Sequence, residues 1–245
     1  MIKCTFDSSF EYNKIHGFYG LKEMFPSYFY EDTGKTLRGT KYWLFIDTPE
    51  AINDRKNEVI ESKKQGIKII SLFYDESRFP AVDRLISEGL IDKLILFDKQ
   101  YKDRFRLDTY VSDYYLSDSV FPDFEEPRNG KMCYFGHTLY DRSLPKACRR
   151  IYEKSLSELY NKASKYTKGY VATTGAGENG GIIYHNKAKF LEMLFCGLQV
   201  LCQDGLNTIN YEKFKNKEIS KSDLKELHKI NKFVKKKIYR EIIKL

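Results

Sequence analysis

The stretch KAKFLEMLFCGLQVLC, residues 187–202, sets one carboxylate, Glu192, among apolar side chains, with Lys189 one helical turn before it. Helical spacing puts Glu192 between Ala188, Phe195 and Cys196, beside the apolar face and not opposite it. A carboxylate next to buried positions is costly unless it has a partner. A local lysine at the helix edge is one such partner. The chemical alternative is a carboxylate accepting hydrogen bonds from vicinal ribose hydroxyls, with Lys189 reaching a phosphate. Gly197 ends the expected helix, and the strand LQVLC follows.

Other residue types in this chain also fit phosphate and sugar chemistry. KMCYFG (131–136) reads as a strand ending at Gly136, with His137 next and Arg142 six residues after the glycine. A diphosphate leaving group needs positive charge as the bond to it breaks, and His137 and Arg142 supply that charge type. The plain alternative for Arg142 is a surface residue at a helix start. TTGAGENGG (173–181) offers backbone N–H groups to phosphates or hydroxyls, with Thr173, Thr174 and Glu178 as polar partners. Its plain alternative is an ordinary loop. Asp47 and Asp75 end strand candidates and are candidate general bases for removing an acceptor's proton. Asp7, His16 and Gly17 follow the first strand and are further candidates for contact with a substrate. No Asp-x-Asp stands at a suitable strand end, so no catalytic metal is expected.

The elements that must position these groups follow from the apolar runs. Strands are expected at 2–6, 42–47, 67–75, 93–98 and 109–116, with helices over 49–66 and 79–90 between them. Apolar runs without alternation, separated by helices, indicate a parallel sheet covered on both faces. Residues 119–130, SVFPDFEEPRNG, carry two prolines and an Asn-Gly pair and read as a linker. A second α/β unit follows, with a strand at 131–136, a long helix over 144–166, a strand at 169–174, the glycine-rich loop, and the stretch quoted above. The expected fold class is α/β, with two Rossmann-like domains facing across a cleft and a C-terminal amphipathic basic helix. The expected domains are 1–118, a linker 119–130, a donor domain 131–222 and a terminal helix 223–245. Ligands of such sheets bind at the carboxyl ends of the strands.

Composition bounds the rest. At 245 residues, with 42% hydrophobic and 31% charged residues, the chain is expected to be a soluble globular protein. No apolar run approaches a bilayer span, and MIKCTFDSSFEYNK lacks the core of a signal peptide, so a cytoplasmic protein is expected. Five scattered cysteines, odd in number and without zinc spacing, are expected to be interior thiols. The net charge of +8 is concentrated at the end: residues 211–245 hold twelve Lys or Arg against five Asp or Glu. Leu224, Leu227, Ile230, Phe233, Val234, Ile238 and Ile242 recur there at helical spacing. One reading is a docked helix with a solvated lysine face. The other is a patch that meets a polyanion, either nucleic acid or an anionic membrane surface.

KFLEMLFCGLQVLCQDG resembles the donor-site signature of nucleotide-sugar glycosyltransferases with the two-domain GT-B fold. In that signature Lys-x-x-Glu, a few apolar or small residues, a glycine and an apolar strand recur. Lys189, Glu192 and Gly197 take the matching positions. SVFPDFEEPRNGKMCYFGHTLYDRSLP resembles the family's interdomain crossing, with Arg142 matching a diphosphate-binding cation by type and His137 standing where a second cation is found. The resemblance implies that Glu192 holds the ribose of a nucleoside-diphosphate sugar. A UDP-sugar is the first co-substrate to test, and no further cofactor is implied. Retaining members carry a glutamate eight residues before the second. That position here is Tyr184, so Glu178 is the nearest substitute and stereochemistry stays open. The second half also shows few βα units for such a domain. LEMLFCG is similar to a segment of the T-even-like bacteriophage enzymes that glycosylate hydroxymethylcytosine in DNA, which implies double-stranded DNA as acceptor and a bacterial host cytoplasm. A bacterial surface glycan or lipid-linked sugar is the alternative acceptor. A non-catalytic nucleotide- or DNA-binding module is the alternative class.

Overall fold

The structure, a computed structural model of the chain, describes residues 1–9, 11–73, 78–97, 101–122, 128–135, 147–171, 183–202 and 208–245, the side chains of 183–187 excepted. The chain is α/β, with two all-parallel sheets of six and four strands. It divides into two compact units. One comprises Met1–Ser117 with Phe233–Leu245, and the other comprises Asp118–Lys232.

The first unit's strands are β1 (Ile2–Phe6), β2 (Phe29–Glu31), β3 (Tyr42–Ile46), β4 (Lys68–Leu72), β5 (Lys93–Leu96) and β6 (Thr109–Val111), in the order β2-β1-β3-β4-β5-β6. Strands β3 to β5 are almost wholly buried, which is why their sequences are apolar runs and not alternations. The expected helix over 49–66 is two helices, α2 (Pro49–Asp54) and α3 (Lys56–Lys64), broken at Arg55 (φ −109°, ψ 27°). Helix α4 (Phe79–Ser87) follows β4. Residues 109–116 were expected as one strand, but only Thr109–Val111 pairs with β5.

The loop after β1 is also not open chain. Asn13–Tyr19 form a π-helical turn that runs into α1 (Gly20–Lys22). Beside the sheet lies a polar knot: Asp32 pairs with Lys3 at 3.1 Å and with Arg55, and accepts from the Thr5 hydroxyl at 2.6 Å. Thr5 in turn accepts from the Trp43 indole at 2.8 Å, and the Lys3 ammonium lies 4.0 Å from the Trp43 ring.

The second unit's strands are β7 (Met132–Phe135), β8 (Cys148–Ile151), β9 (Lys168–Val171) and β10 (Gln199–Cys202), in the order β10-β9-β7-β8. The long helix expected over 144–166 is corrected. Cys148–Ile151 pair in parallel with β7, and helix α5 covers only Leu156–Ala163. Ser155 starts that helix by accepting from the Glu158 amide at 3.2 Å, so the polypeptide resets its direction between strand and helix. This strand supplies the βα unit that seemed missing from the sequence. Helix α6 (Ile183–Phe195) packs on β9 and β10. It ends at Gly197, whose φ of +75° belongs to the left-handed region. The Gly197 and Leu198 amides there close on the carbonyls of Leu194 and Met193.

Helix α7 (Lys221–Ile243) is the last element. Ser220 and Asp223 form a capping box: the Asp223 amide donates to the Ser220 hydroxyl oxygen at 3.1 Å, and the Ser220 amide donates to the Asp223 carboxylate at 3.0 Å. Within the second unit, Asp118 accepts from Asn231 at 3.0 Å and bonds the His228 ring at 2.7 Å. Within the first, Tyr239 stacks on Phe25 (4.2 Å), Lys93 pairs with Glu241 (3.0 Å), and Lys235 pairs with Glu23. The buried stripe is Leu227, Val234, Ile238 and Ile242, joined by Asn231 and Lys235. Phe233, expected on that stripe, is 45% exposed, because helical spacing sets it on the side of α7 away from Leu227, Val234, Ile238 and Ile242. No helix among the described residues is long and apolar enough to cross a membrane.

Candidate functional site

In the first sheet the strand order reverses between β1 and β3, since the chain steps from β1 to β2 on one side and then to β3 on the other. Ligands of open α/β sheets bind beyond the carboxyl ends of the strands at such a reversal. A cavity of about 450 Å³ lies there, lined by Thr5, Phe6 and Asp7 at the end of β1 and by Asp47 and Thr48 at the end of β3. Helix α2 adds Glu50, Ala51 and Asp54, and Arg78 comes from the turn before α4.

Asp47 is held in an unusual backbone state. Its φ is +50°, a left-handed conformation that Asp and Asn tolerate better than most side chains, and its amide donates to the Leu72 carbonyl at 2.6 Å. Its carboxylate faces the Arg78 guanidinium at 3.7 Å, and Arg78 also pairs with Glu50. Asp7 is spent differently. Its carboxylate accepts from the Ser9 hydroxyl at 2.6 Å and the Ser9 amide at 2.9 Å, which hold its pKa below the usual carboxylate range. Among the described residues, four carboxylates against one arginine make this cavity anionic. It suits hydroxyl-bearing, uncharged groups and disfavours a phosphate.

The sequence pointed to Asp7 and Asp47 by their places at strand ends. It missed Glu50, Asp54 and Arg78. The signal for two of them was present: Glu50 and Asp54 stand one helical turn apart on α2, the short helix that follows the end of β3. Asp75, the other candidate base, lies outside the described residues.

His16 and Gly17 are corrected. The imidazole is buried inside the π-helical turn, where its Nδ1 accepts from the Ser117 amide at 3.1 Å. The Gly17 carbonyl accepts from the Tyr115 hydroxyl at 2.8 Å. Both residues belong to the core because the chain after β1 coils inward. Burial, aided by the nearby Lys235 ammonium, pushes the His16 pKa down to about 3. An unfolded chain takes up this proton below pH about 6.5 and the folded chain does not, so stability is full above that pH and falls as pH drops toward 3. Wild-type protein is expected to lose about 2 kcal/mol of unfolding free energy between pH 7 and pH 5 from this group. In His16→Gln, whose side-chain carbonyl can still accept from Ser117, most of that loss should vanish. Equal pH dependence in urea unfolding of the two proteins would contradict the assignment.

The second sheet reverses between β7 and β9. The stretches that follow these strands in sequence contain Gly136, His137 and Arg142 after β7, and Thr173, Thr174 and Glu178 after β9. All six lie outside the described residues. Helix α6 is described where it matters. From Ala188 to Cys196 its side chains are buried, apart from the half-buried Lys189, and Glu192 is only 5% exposed. The Lys189 ammonium lies 5.5 Å from the ring of Tyr134 on β7. Burial lowers its pKa, opposed by the neighbouring Glu192 carboxylate. Lys189 and Glu192 are thus two ionisable groups within an otherwise apolar run from Ala188 to Leu198.

Arg128 was not singled out by its sequence. Its guanidinium donates to the Gly197 carbonyl at 2.5 Å and to the Tyr166 carbonyl at 3.3 Å, tying the segment before β7 to the end of α6.

Other chemistries find less support. The five cysteines are free thiols. Burial raises those of Cys4, Cys133 and Cys196, and pushes Cys202 up to about 12, so none of these four is poised as a thiolate. Among the described residues no group of three or more His, Cys, Asp or Glu is arranged to hold a metal ion. Compared with models of known protein families and with curated proteins, the chain matches none.

Proposed function

We propose that the protein transfers a glycosyl group from a nucleoside-diphosphate sugar to an acceptor hydroxyl. The donor's nucleotide is held by the second unit, and the acceptor hydroxyl enters the cavity of the first. The observation that carries this reading is the buried Glu192 with the half-buried Lys189 one turn before it on α6, the helix entering β10 beside the sheet whose order reverses at β7 and β9. Vicinal ribose hydroxyls are donors that a carboxylate placed on this helix can accept from. Lys189 adds positive charge on the same helix for a phosphate. In the first unit, Asp47 is the group that takes the acceptor's proton.

The first acceptor is a hydroxymethylated base in double-stranded DNA. A neutral glycan hydroxyl is the second, and the acidic lining of the cavity favours it, because four carboxylates accept sugar hydroxyls well. Release of nucleoside diphosphate separates the readings. UDP-, GDP- and dTDP-sugars are each incubated with hydroxymethylcytosine DNA, unmodified DNA, a neutral oligosaccharide, or no acceptor. Release that needs the modified DNA names the first acceptor, and release that needs the oligosaccharide names the second. Nucleotide binding without release from any pair would leave a binding module and overturn the transferase reading.

Glu192→Gln keeps the volume of the side chain and removes its charge. It should weaken binding of the nucleotide sugar by about 1–3 kcal/mol, measured by calorimetry, while the melting temperature holds. Unchanged donor affinity in a folded variant would make Glu192 a purely structural group.

A further inference from the structure

We propose that the outward face of α7 is a docking surface for the phosphate backbone of double-stranded DNA. The inference rests on the exposed charge of this helix and not on the transferase reading.

Lys221, Lys225, Lys229, Lys232, Lys236 and Arg240 are all exposed. None of the six has an ion-pair or hydrogen-bond partner among the described residues. Other lysines of the same region, such as Lys213, Lys217 and Lys244, are paired with acids. Helical spacing gathers the six within an arc of about 100° and spreads them over about 28 Å of helix. Glu226, the acid nearest that arc, is already paired with Lys213. Like charges at successive turns repel one another, so the row lowers helix stability a little unless something anionic meets it.

The occupant follows from the shape of the charge and from what the helix lacks. A duplex presents a linear array of phosphates, about one charge per 1.7 Å of axis, and lysine rows bind it by releasing condensed counterions. A basic helix that lies in a membrane surface inserts an apolar face beside its cations. In α7 that face is already used, since Leu227, Val234, Ile238 and Ile242 are buried in the protein. Only Phe233 and Ile243 are left as exposed large apolar residues on the helix. The charge is therefore linear and unaccompanied by an insertion face, which favours nucleic acid.

The test uses the full chain, a fluorescent DNA duplex of about 25 base pairs and no nucleotide sugar, so it is independent of catalysis. Anisotropy titrations from about 50 to 200 mM salt compare wild type with Lys225→Gln/Lys229→Gln/Lys232→Gln/Lys236→Gln. These side chains have no partners to lose, and a thermal melt checks the fold. The variant should bind at least about tenfold more weakly at the lowest salt. Its slope of log affinity against log salt should be shallower by about 3 to 4 than that of wild type. Equal affinity and slope in the two proteins, or no duplex binding by wild type, overturns the proposal. Phosphatidylserine vesicles run in parallel: binding to them through these lysines, with no binding to the duplex, assigns the surface to a membrane instead.

Discussion

Asp32→Ala should lower the unfolding free energy by about 3–5 kcal/mol. Lys3 is only 2% exposed, and its ammonium pairs with Asp32 at 3.1 Å. Without that carboxylate a buried positive charge is left with the Thr36 hydroxyl at 3.4 Å and the Trp43 ring at 4.0 Å. Neither neutralises it. Arg55 loses its inner carboxylate and keeps the surface pair with Glu58 and the Trp43 ring at 4.7 Å. The Thr5 hydroxyl, which lines the cavity, loses its acceptor.

The charge argument makes a second demand. Adding Lys3→Met to Asp32→Ala removes the stranded ammonium and should return a large part of the lost stability, since the damage comes from an uncompensated charge and not from a missing attraction. Urea unfolding of the two variants measures both. A cost below about 1 kcal/mol for Asp32→Ala, or no recovery in the double variant, would mean that water or another group reaches Lys3. The carboxylate also titrates with a known sign. Burial pushes its pKa up, but hydrogen bonds from Thr5, Arg55, Gly34 and Lys3 outweigh burial and hold it below the ordinary value. Its contribution is therefore present above pH about 4 and is lost as pH falls below that.

The central strands were legible because burial on both faces forces continuous apolar sequence. YWLFI and KLIL admit few other readings. The edge strands were not. β8 reads CRRI and buries only its last residue fully, so no apolar period marks it, and its neighbours extend a helical spacing across it. β2, with FYE, is three residues long and has one buried side chain. The glycine at the end of α6 and the proline at the start of α2 marked their boundaries because each answers a local backbone requirement.

Side-chain direction was harder. His16 follows β1 closely enough to be placed near a substrate, and only the inward π-helical turn removes it from there. Glu192 was legible as an anomaly, a carboxylate on an apolar face, and its burial sharpens that anomaly. The cavity at β1 and β3 needed tertiary structure, because it gathers groups from residue 5 to residue 78. Only the strand-end members and the Glu50–Asp54 spacing on α2 could be read from sequence.

Among the acids of that cavity, Asp47 is expected to matter most. Asp47→Asn should slow glycosyl transfer by about 10²–10⁴-fold at saturating donor, with little change in stability. The choice of substitution follows from the backbone. At φ +50°, alanine would add strain of about 1–2 kcal/mol, whereas asparagine tolerates this conformation and keeps the side-chain shape. The choice of residue follows from what its neighbours are doing. A general base must reach the acceptor hydroxyl and take its proton near neutral pH. Asp7 is held acidic by two bonds from Ser9, and Glu50 is engaged by Arg78. Asp47 ends β3 inside the cavity, with its side chain 14% exposed and the Arg78 guanidinium 3.7 Å from its carboxylate. Arg78→Gln separates the roles. If Arg78 only neutralises the acids, the rate in that variant should change less than in Asp47→Asn, and the pH at which transfer is half-maximal should rise, because the carboxylates lose the Arg78 cation. Transfer by Asp47→Asn within about threefold of wild type would remove Asp47 as the base, and the same assay on Asp7→Asn would then decide whether any acid of this cavity takes the proton.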